Sequence, residues 1–322
     1  MTAGFALIEW RRVAAVAIPL IAVLAALPLA LGSYAIHVMT LSFYYVILAA
    51  SWNLLAGVTG QFSLAHHTFA AIGAYTSGLL VVRAGLPIWL GMICGVAAAA
   101  ALGFVLGRVV LRMRAIYLAI ATWAFSETIH SLLTGAYWLT RGDLGLSVPS
   151  LYGSVEPVLY YYTFLPTAAV VVLAMYLLVK SPLGYFMRAI KDDELRAETL
   201  GVDTTRVKVM VFTVTSAAAG LAGVLYAHYM VLLSPQMADF SEMAKLIIMV
   251  VVGGLGSFMG PLLGAAPIHI VLTELQEYGE WDMVVFALLV IVLMRSYMGG
   301  LAALSAEAYQ RLRRAWMGSA SP

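Results

Sequence analysis

The sequence predicts an all-α polytopic membrane protein, with about eight full transmembrane helices plus one broken or re-entrant element. Three observations predict it. Of 322 residues, 63% fall in the AVILMFWYC set and 11% are charged, against about 45–50% apolar and about 25% charged in soluble domains. Nine apolar runs are long enough to be read as bilayer crossings, each near the roughly 20 residues that a helix needs. The basic residues gather in clusters between these runs. A soluble body with so little charge would expose large apolar patches, and so apolar a chain is not disordered. An outer-membrane barrel would show strand-length alternation of polar and apolar residues, and none is present. The net charge of +2 gives no electrostatic footprint for nucleic acid. Cys94 is the single cysteine and forms no internal disulfide.

In order, the runs are 13–32, 34–56, 61–82, 88–110, 115–133, 159–179, 209–231, 246–273 and 283–304. The first follows Arg11 and Arg12 and lacks a small-x-small cleavage site, so it reads as a retained anchor. Sidedness follows from the basic clusters, at Arg11/Arg12, Arg108/Arg112/Arg114, Lys180 to Lys208, and Arg311/Arg313/Arg314. If all four face the cytoplasm, an even number of crossings separates each pair, and only the last interval violates this. The conflict falls on 246–273, which is interrupted by Gly253, Gly254, Gly256, Gly260, Pro261 and Gly264. If that element enters and returns, both termini are cytoplasmic. Of the 18 basic residues only Arg83, Arg141 and Lys245 are then outside, beside the acidic segment 274–282. Interrupted backbone at membrane depth is tolerated where it is buried in protein or lines a cavity, so the break also marks a pathway. Small residues recur at helical spacing, as Gly91/Gly95, Gly103/Gly107, Ser216/Gly220 and Ala219/Gly223. They are expected to serve internal packing, with a subunit interface as the alternative.

Segment 181–208, SPLGYFMRAIKDDELRAETLGVDTTRVK, is the long polar stretch assigned to the cytoplasm. Ser181 suits a cap and Pro182 a first helical position. Leu183, Phe186, Met187 and Ile190 share one face, with Arg188 and Lys191 beside it. Asp192, Asp193 and Glu194 suit the start of a second helix, and Gly201 its end. Such a pair transmits position to a soluble partner, or lies in the lipid interface.

Four motifs carry a resemblance. The segment RAIKDDELRAETLGVDTTRVK (188–208) resembles the cytoplasmic loop of permeases in LIV-type ABC importers for branched-chain amino acids. GQFSLAHHTFAAIGAYTSGLL (60–80) resembles that family's GQxSLGHxxFxxIGAY signature, with Ala65 in place of the usual glycine and a second histidine at His67. IYLAIATWAFSE (116–127) and VVVGGLGSFMGPLLGAA (250–266) resemble two further family elements, in the expected order. The resemblance covers most of the chain and is nearer the M-type than the H-type subunit. It implies a single permease domain over 1–322, with a coupling helix in 181–208 that docks an ATPase through Arg188, Ala189, Glu194, Ala197, Glu198, Leu200 and Gly201. It further implies a multi-pass inner-membrane protein with two ATPase subunits that hold ATP and Mg, and an extracytoplasmic solute-binding protein. The second permease subunit is expected to be a related H-type chain, a second copy being the alternative. No cofactor is expected on this chain. LIV-type permeases also resemble importers of urea, short amides and aromatic acids.

The residues agree on the source of energy. No glycine is followed by lysine, so the chain has no GxxxxGK[ST] phosphate loop. Glu127 lies within an apolar run three residues before His130. A lone carboxylate there costs about 2.5–3.5 kcal/mol, so it is expected to pair or to face water. Gln61, Ser63, His66 and Tyr75 of the signature, with Glu127 and Gly253, Gly254 and Gly256, are the candidate pathway residues. Adjacent His66 and His67 point apart and have no sequence-neighbouring carboxylate or cysteine, so metal is not expected. His37, His228 and His269 are expected to be satisfied or interfacial. The competing functional class is a self-sufficient secondary transporter or channel, which would carry several ionisable groups near the midplane. A membrane enzyme would need a polar constellation on facing spans, and none is evident in the sequence.

Overall fold

The computed structural model describes residues 18–113, 115–275 and 300–302. Arg11, Arg12, Arg114, the C-terminal basic cluster, most of the acidic segment 274–282 and nearly all of the 283–304 run lie outside the described residues. Helix α1 covers Ile18–Leu29, and α2 covers Ser33–Trp52 and continues as a π-helical turn over Asn53–Val58. Then follow α3 (His66–Ala84), α4 (Ile88–Val110), α5 (Ala115–Gly135) and the single turn α6 (Tyr137–Thr140). After these come α7 (Pro157–Lys180), α8 (Pro182–Asp192), α9 (Glu194–Thr199) and α10 (Thr204–Met230). Helices α11 (Phe240–Gly254) and α12 (Gly260–Leu275) close the described chain.

The described residues are mostly helical, in keeping with the all-α expectation, with one short ribbon added. Strand β1 (Leu146–Ser147) pairs antiparallel with β2 (Leu232–Leu233), Leu146 opposite Leu233. This ribbon ties the loop after α6 to the loop after α10. The 246–273 element is broken, as its glycines suggest, into two helices, each about 22–24 Å long at 1.5 Å per residue, joined at 255–259. Pro261 sits in the first turn of α12, where a missing N–H costs nothing.

Helices α2, α4, α7 and α10 are long and apolar enough to cross a membrane. Helix α2 is the centre, with 89% of its apolar window buried, and α10 buries 67%, whereas α4 and α7 bury 28% and keep broad apolar outer faces. Helix α10 packs on α3 and α4, and α2 packs on α7, α11 and α12. The small-residue pairs explain the first group. A Cβ on Gly95 would strike the Gly73 carbonyl, one on Gly103 the Ser216 side chain, one on Gly220 the Ala99 side chain, and one on Gly223 the Ala70 carbonyl. The stripes therefore serve packing inside one chain, where close backbone approach supplies the dispersion energy that lipid does not. A predicted consequence concerns Gly223→Val, which forces α10 off α3. It should cost about 1–3 kcal/mol or more and sharply lower the folded yield in detergent. Gly32→Ala, where an added Cβ meets nothing within 4 Å, should leave yield and thermal midpoint unchanged.

Candidate functional site

The 61–82 run was expected to be one span, yet α3 starts at His66. After Val58 the chain turns and runs back along α2. The Trp52 indole N–H donates to the Ser63 carbonyl (2.9 Å), and His66 Nε2 meets Ser51 Oγ at 2.8 Å. Between Val58 and Ser51 the chain has retraced roughly 10 Å of helix, so α3 begins inside the bundle. Several backbone donors of the climbing segment 59–65 are met by the chain itself. Leu64 N donates to Thr122 Oγ1 of α5 (2.9 Å), Gln61 N to the Leu55 carbonyl (3.0 Å) and Ala65 N to Ser63 Oγ (3.3 Å).

Helix α11 begins at the same place. The segment after β2 forms a 3₁₀ turn, Pro235–Ala238, whose last carbonyl accepts from Ser126 Oγ of α5 (3.3 Å). Ser126 Oγ also hydrogen-bonds Thr68 Oγ1, in the first turn of α3. Asp239 then caps α11, its carboxylate accepting from Ser241 N.

Between these two helix starts and α2 lies a polar cluster. Lys245 Nζ donates to Glu242 Oε1 (2.7 Å), and Tyr45 Oη donates to Glu242 Oε2 (3.0 Å). The Tyr45 ring lies 4.7 Å from the His269 ring of α12 and 6.1 Å from that of His67. Tyr44 bridges Tyr45 and Tyr226 of α10, at 5.1 and 4.9 Å. Neither ring nitrogen of His67 has a hydrogen-bond partner, and neither does His269 Nε2. The Met237 backbone lies beside the His67 ring. Glu242 and Lys245 keep 24% and 29% of their side chains exposed, so the cluster opens on one side. Among the described residues no group of three or more metal-ligating side chains forms.

At the far end of α2 a second arrangement joins α8 to the α11–α12 turn. Lys191 Nζ donates to the Gly57 carbonyl (2.6 Å) in the π-helical turn. Asn53 of that turn accepts from Gly256 N (2.7 Å) and donates to the Ser257 carbonyl (2.9 Å). Gly256 holds φ +81°, and a side chain there would press on Gly57. Beyond this joint, Asp193 caps α9 by accepting from Arg196 N (3.1 Å), and Gly201 leaves it with φ +87°, the left-handed residue expected past a helix end. Ser181 occupies the N-cap position of α8, but its hydroxyl bonds back to the Leu178 carbonyl (2.7 Å) rather than capping forward.

The structure distributes the sequence-derived candidates over several places. In the coupling segment, Leu200 is 84% exposed, Gly201 and Glu198 face outward, and Ala189 is half-buried. Ala197 is buried and cannot touch a partner directly. Arg188 donates to the Val179 carbonyl, Glu194 pairs with the buried Lys208, and Glu198 accepts from Thr204 Oγ1. Lys191 and Lys208 are thus spent inside the chain, not held out to a partner. Gln61, Ser63 and His66 gather around α2, Gln61 buried with an unpartnered amide. Tyr75 belongs instead to a small cluster with Leu146 and Leu233, nine residues further along α3. Gly253 packs against Gly260 and Gly264 between α11 and α12. Glu127 makes the expected contact with His130 (3.7 Å), but 57% of its side chain is exposed, on the outer side of α5. Ser126, one step round the helix, is the residue that turns inward. The interior carboxylate is therefore Glu242. Lys245, assigned to an outside loop, lies within α11. Sequence reasoning missed this pair because the apolar run seemed to start at Leu246. The signal was Asp-x-x-Glu-x-x-Lys over 239–245, which marks a helix start and puts Glu242 and Lys245 on one face. His228, by contrast, is satisfied as expected, by Ser77 and the Pro149 carbonyl.

An apolar helical bundle whose interior holds helix starts and an ion pair has the build of a membrane transport protein. A family model described as branched-chain amino acid transport system / permease component matches residues 34–294, and the chain belongs to that family. It is 31% identical over 305 residues to the high-affinity branched-chain amino acid transport system permease protein LivM of Salmonella typhimurium (strain LT2), covering 85% of this chain and 71% of that protein. LivM of Escherichia coli (strain K12) is 32% identical over 308 residues, with 86% and 72% covered. LivH of the same organism is 27% identical over 290 residues, with 80% and 90% covered. The M-type resemblance read from the motifs agrees with this. No solved structure matches.

Two outcomes follow from the geometry. Asn53→Ala leaves Gly256 N–H and the Ser257 carbonyl unpartnered. It should cost about 1–3 kcal/mol, seen as a lower thermal midpoint and faster hydrogen exchange at 255–259. Glu127→Gln should leave transport within about twofold of wild type, as exposed positions usually do.

Proposed function

We propose that this chain is one of the two membrane halves of an ATP-driven importer of branched-chain or other hydrophobic amino acids. The observation that carries the proposal is the α8–α9 segment. Its outer side holds Leu195 (70% exposed) and Leu200 (84% exposed) on a short capped element, and its inner side is locked to the bundle through Lys191 and Glu194. Exposed leucines on a rigid polar-flanked element fit a docking surface for a soluble partner. The partner is an ATPase, since the sequence lacks a phosphate loop; ATP and Mg sit there, with two such subunits per transporter. Solute arrives from an extracytoplasmic binding protein. The second membrane half is a related H-type chain, and the whole sits in the inner membrane with both termini cytoplasmic. Residues 181–208 act as the coupling loop of a single permease domain.

In this reading, ATPase movement reaches the interior through the joint at the end of α2. A displacement of α8 pulls on Gly57 through Lys191. Asn53, in the same π-helical turn, carries it to the α11–α12 turn, and α11 bears Glu242. Two packings of these helices then correspond to inward-open and outward-open states. The partly exposed ion pair also favours a second half, because charge left facing lipid is costly. The partly buried Glu242–Lys245 pair is the one observation that favours the alternative, a self-sufficient secondary transporter.

Tagging the chain in its native host should retrieve an ATPase. Leu195→Asp with Leu200→Asp should cut ATP-driven leucine uptake about tenfold or more while the chain remains folded in the membrane. Uptake by this chain alone in liposomes without ATP would overturn the proposal in favour of the alternative.

A further inference from the structure

The α11 pair carries more polar capacity than the chain itself uses. Glu242 has both carboxylate oxygens engaged, by Lys245 and Tyr45. The two histidines beside them do not close the network. His67 is 2% exposed with both nitrogens unpartnered, and His269 is 9% exposed with Nε2 unpartnered. Buried polar groups are nearly always satisfied, and an ion pair in a low-dielectric interior is no more stabilising than an apolar pair of the same shape. Packing alone therefore does not account for two charges and two open imidazoles gathered where α3 and α11 begin. The opening N–H groups of α3 stand ahead of its first helical bond, Phe69 N to the Ala65 carbonyl (3.2 Å), and a helix N-terminus favours negative charge.

We propose that Glu242 and Lys245, with His67 and His269, form a transit site for the α-amino acid zwitterion. The reading rests on the proposed import of amino acids and adds where the solute's charges are met. Glu242 exchanges Lys245 for the solute ammonium. Lys245 and the α3 start then receive the carboxylate, and the imidazoles complete the hydrogen bonds. An ion of one sign would meet the wrong member of the pair, and an uncharged solute would gain nothing from keeping both charges desolvated. Only a ligand with both signs a few ångströms apart uses the whole arrangement. The 24% and 29% exposure of the two side chains supplies an open side for entry.

The test uses the complete transporter with its binding protein in proteoliposomes, ATP being supplied to the ATPase side, and labelled L-leucine, urea and acetamide as probes. The double substitution Glu242→Gln with Lys245→Gln keeps polar side chains at both positions but removes both charges. Leucine uptake should fall about tenfold or more, as when a desolvated charged contact is lost. Leucine uptake at the wild-type rate would overturn the site and leave the import reading standing. If the double variant does not assemble, Tyr45→Phe and His67→Asn carry the test: each should lower leucine uptake severalfold, and normal uptake in both overturns the site. A wild-type transporter that moves urea or acetamide but not leucine overturns the amino-acid reading itself, and the site with it.

Discussion

A helix that begins inside an apolar bundle leaves its first N–H groups without water, and the interior of this protein is arranged around two such starts. Helix α3 begins beside Ser51 of α2, and α11 begins beside α3. Polar groups near these starts are met by residues of different elements: Thr122 of α5 accepts from Leu64 N, Ser126 of α5 donates to the Ala238 carbonyl, Ser51 of α2 bonds the His66 ring, and Asp239 accepts from Ser241 N. In water these bonds would each be worth little; in a lipid-surrounded interior an unmet group costs several kcal/mol. This fixes the depth of α3 and α11 relative to α2 and brings together polar side chains that are far apart in sequence.

The same constraint shapes the other end of α2. The π-helical turn widens the ring of backbone bonds, and the Gly57 carbonyl is taken by Lys191 of α8. Asn53 in that turn satisfies both a donor and an acceptor of the α11–α12 break. A short chain of hydrogen bonds thus runs from the exposed α8–α9 segment through the π-helical turn to the α11–α12 break. The α3, α4 and α10 group, held by glycine-mediated backbone contact, is the stiff counterpart against which α11 and α12 can shift.

Much of the fold was legible in the sequence, because transmembrane helices are selected by length and apolarity over some twenty residues. The runs at 88–110, 159–179 and 209–231 match α4, α7 and α10 within a few residues, and the glycine-rich break falls between α11 and α12. The Gly201 helix stop and the Asp193–Glu194 start followed from cap chemistry that acts locally. The depth of α3 was not legible, because Phe62, Leu64 and Ala65 join 61–65 to the apolar run whether the backbone is helical or extended. The interior pair was hidden for a related reason: Glu242 and Lys245 neutralise each other one helical turn apart, so in a hydropathy reading they looked like a loop flank. Glu127 stood out as the lone carboxylate within a run, but a one-residue rotation separates lining the interior from facing outward. Tyr44, Tyr45 and His269 join the cluster through tertiary packing that no local pattern encodes.

The central claim is that movement of the docking segment is delivered to α11 as a rigid displacement. Pulsed-EPR distances between spin labels at Leu195, Met259 and Trp89, all exposed, test it directly in the assembled transporter, before and after trapping with ATP and vanadate. The account predicts that the Leu195–Met259 distance stays constant while both labels move relative to Trp89 on the stiff α4. A change confined to the Leu195–Met259 distance, with Met259 fixed relative to Trp89, would contradict it.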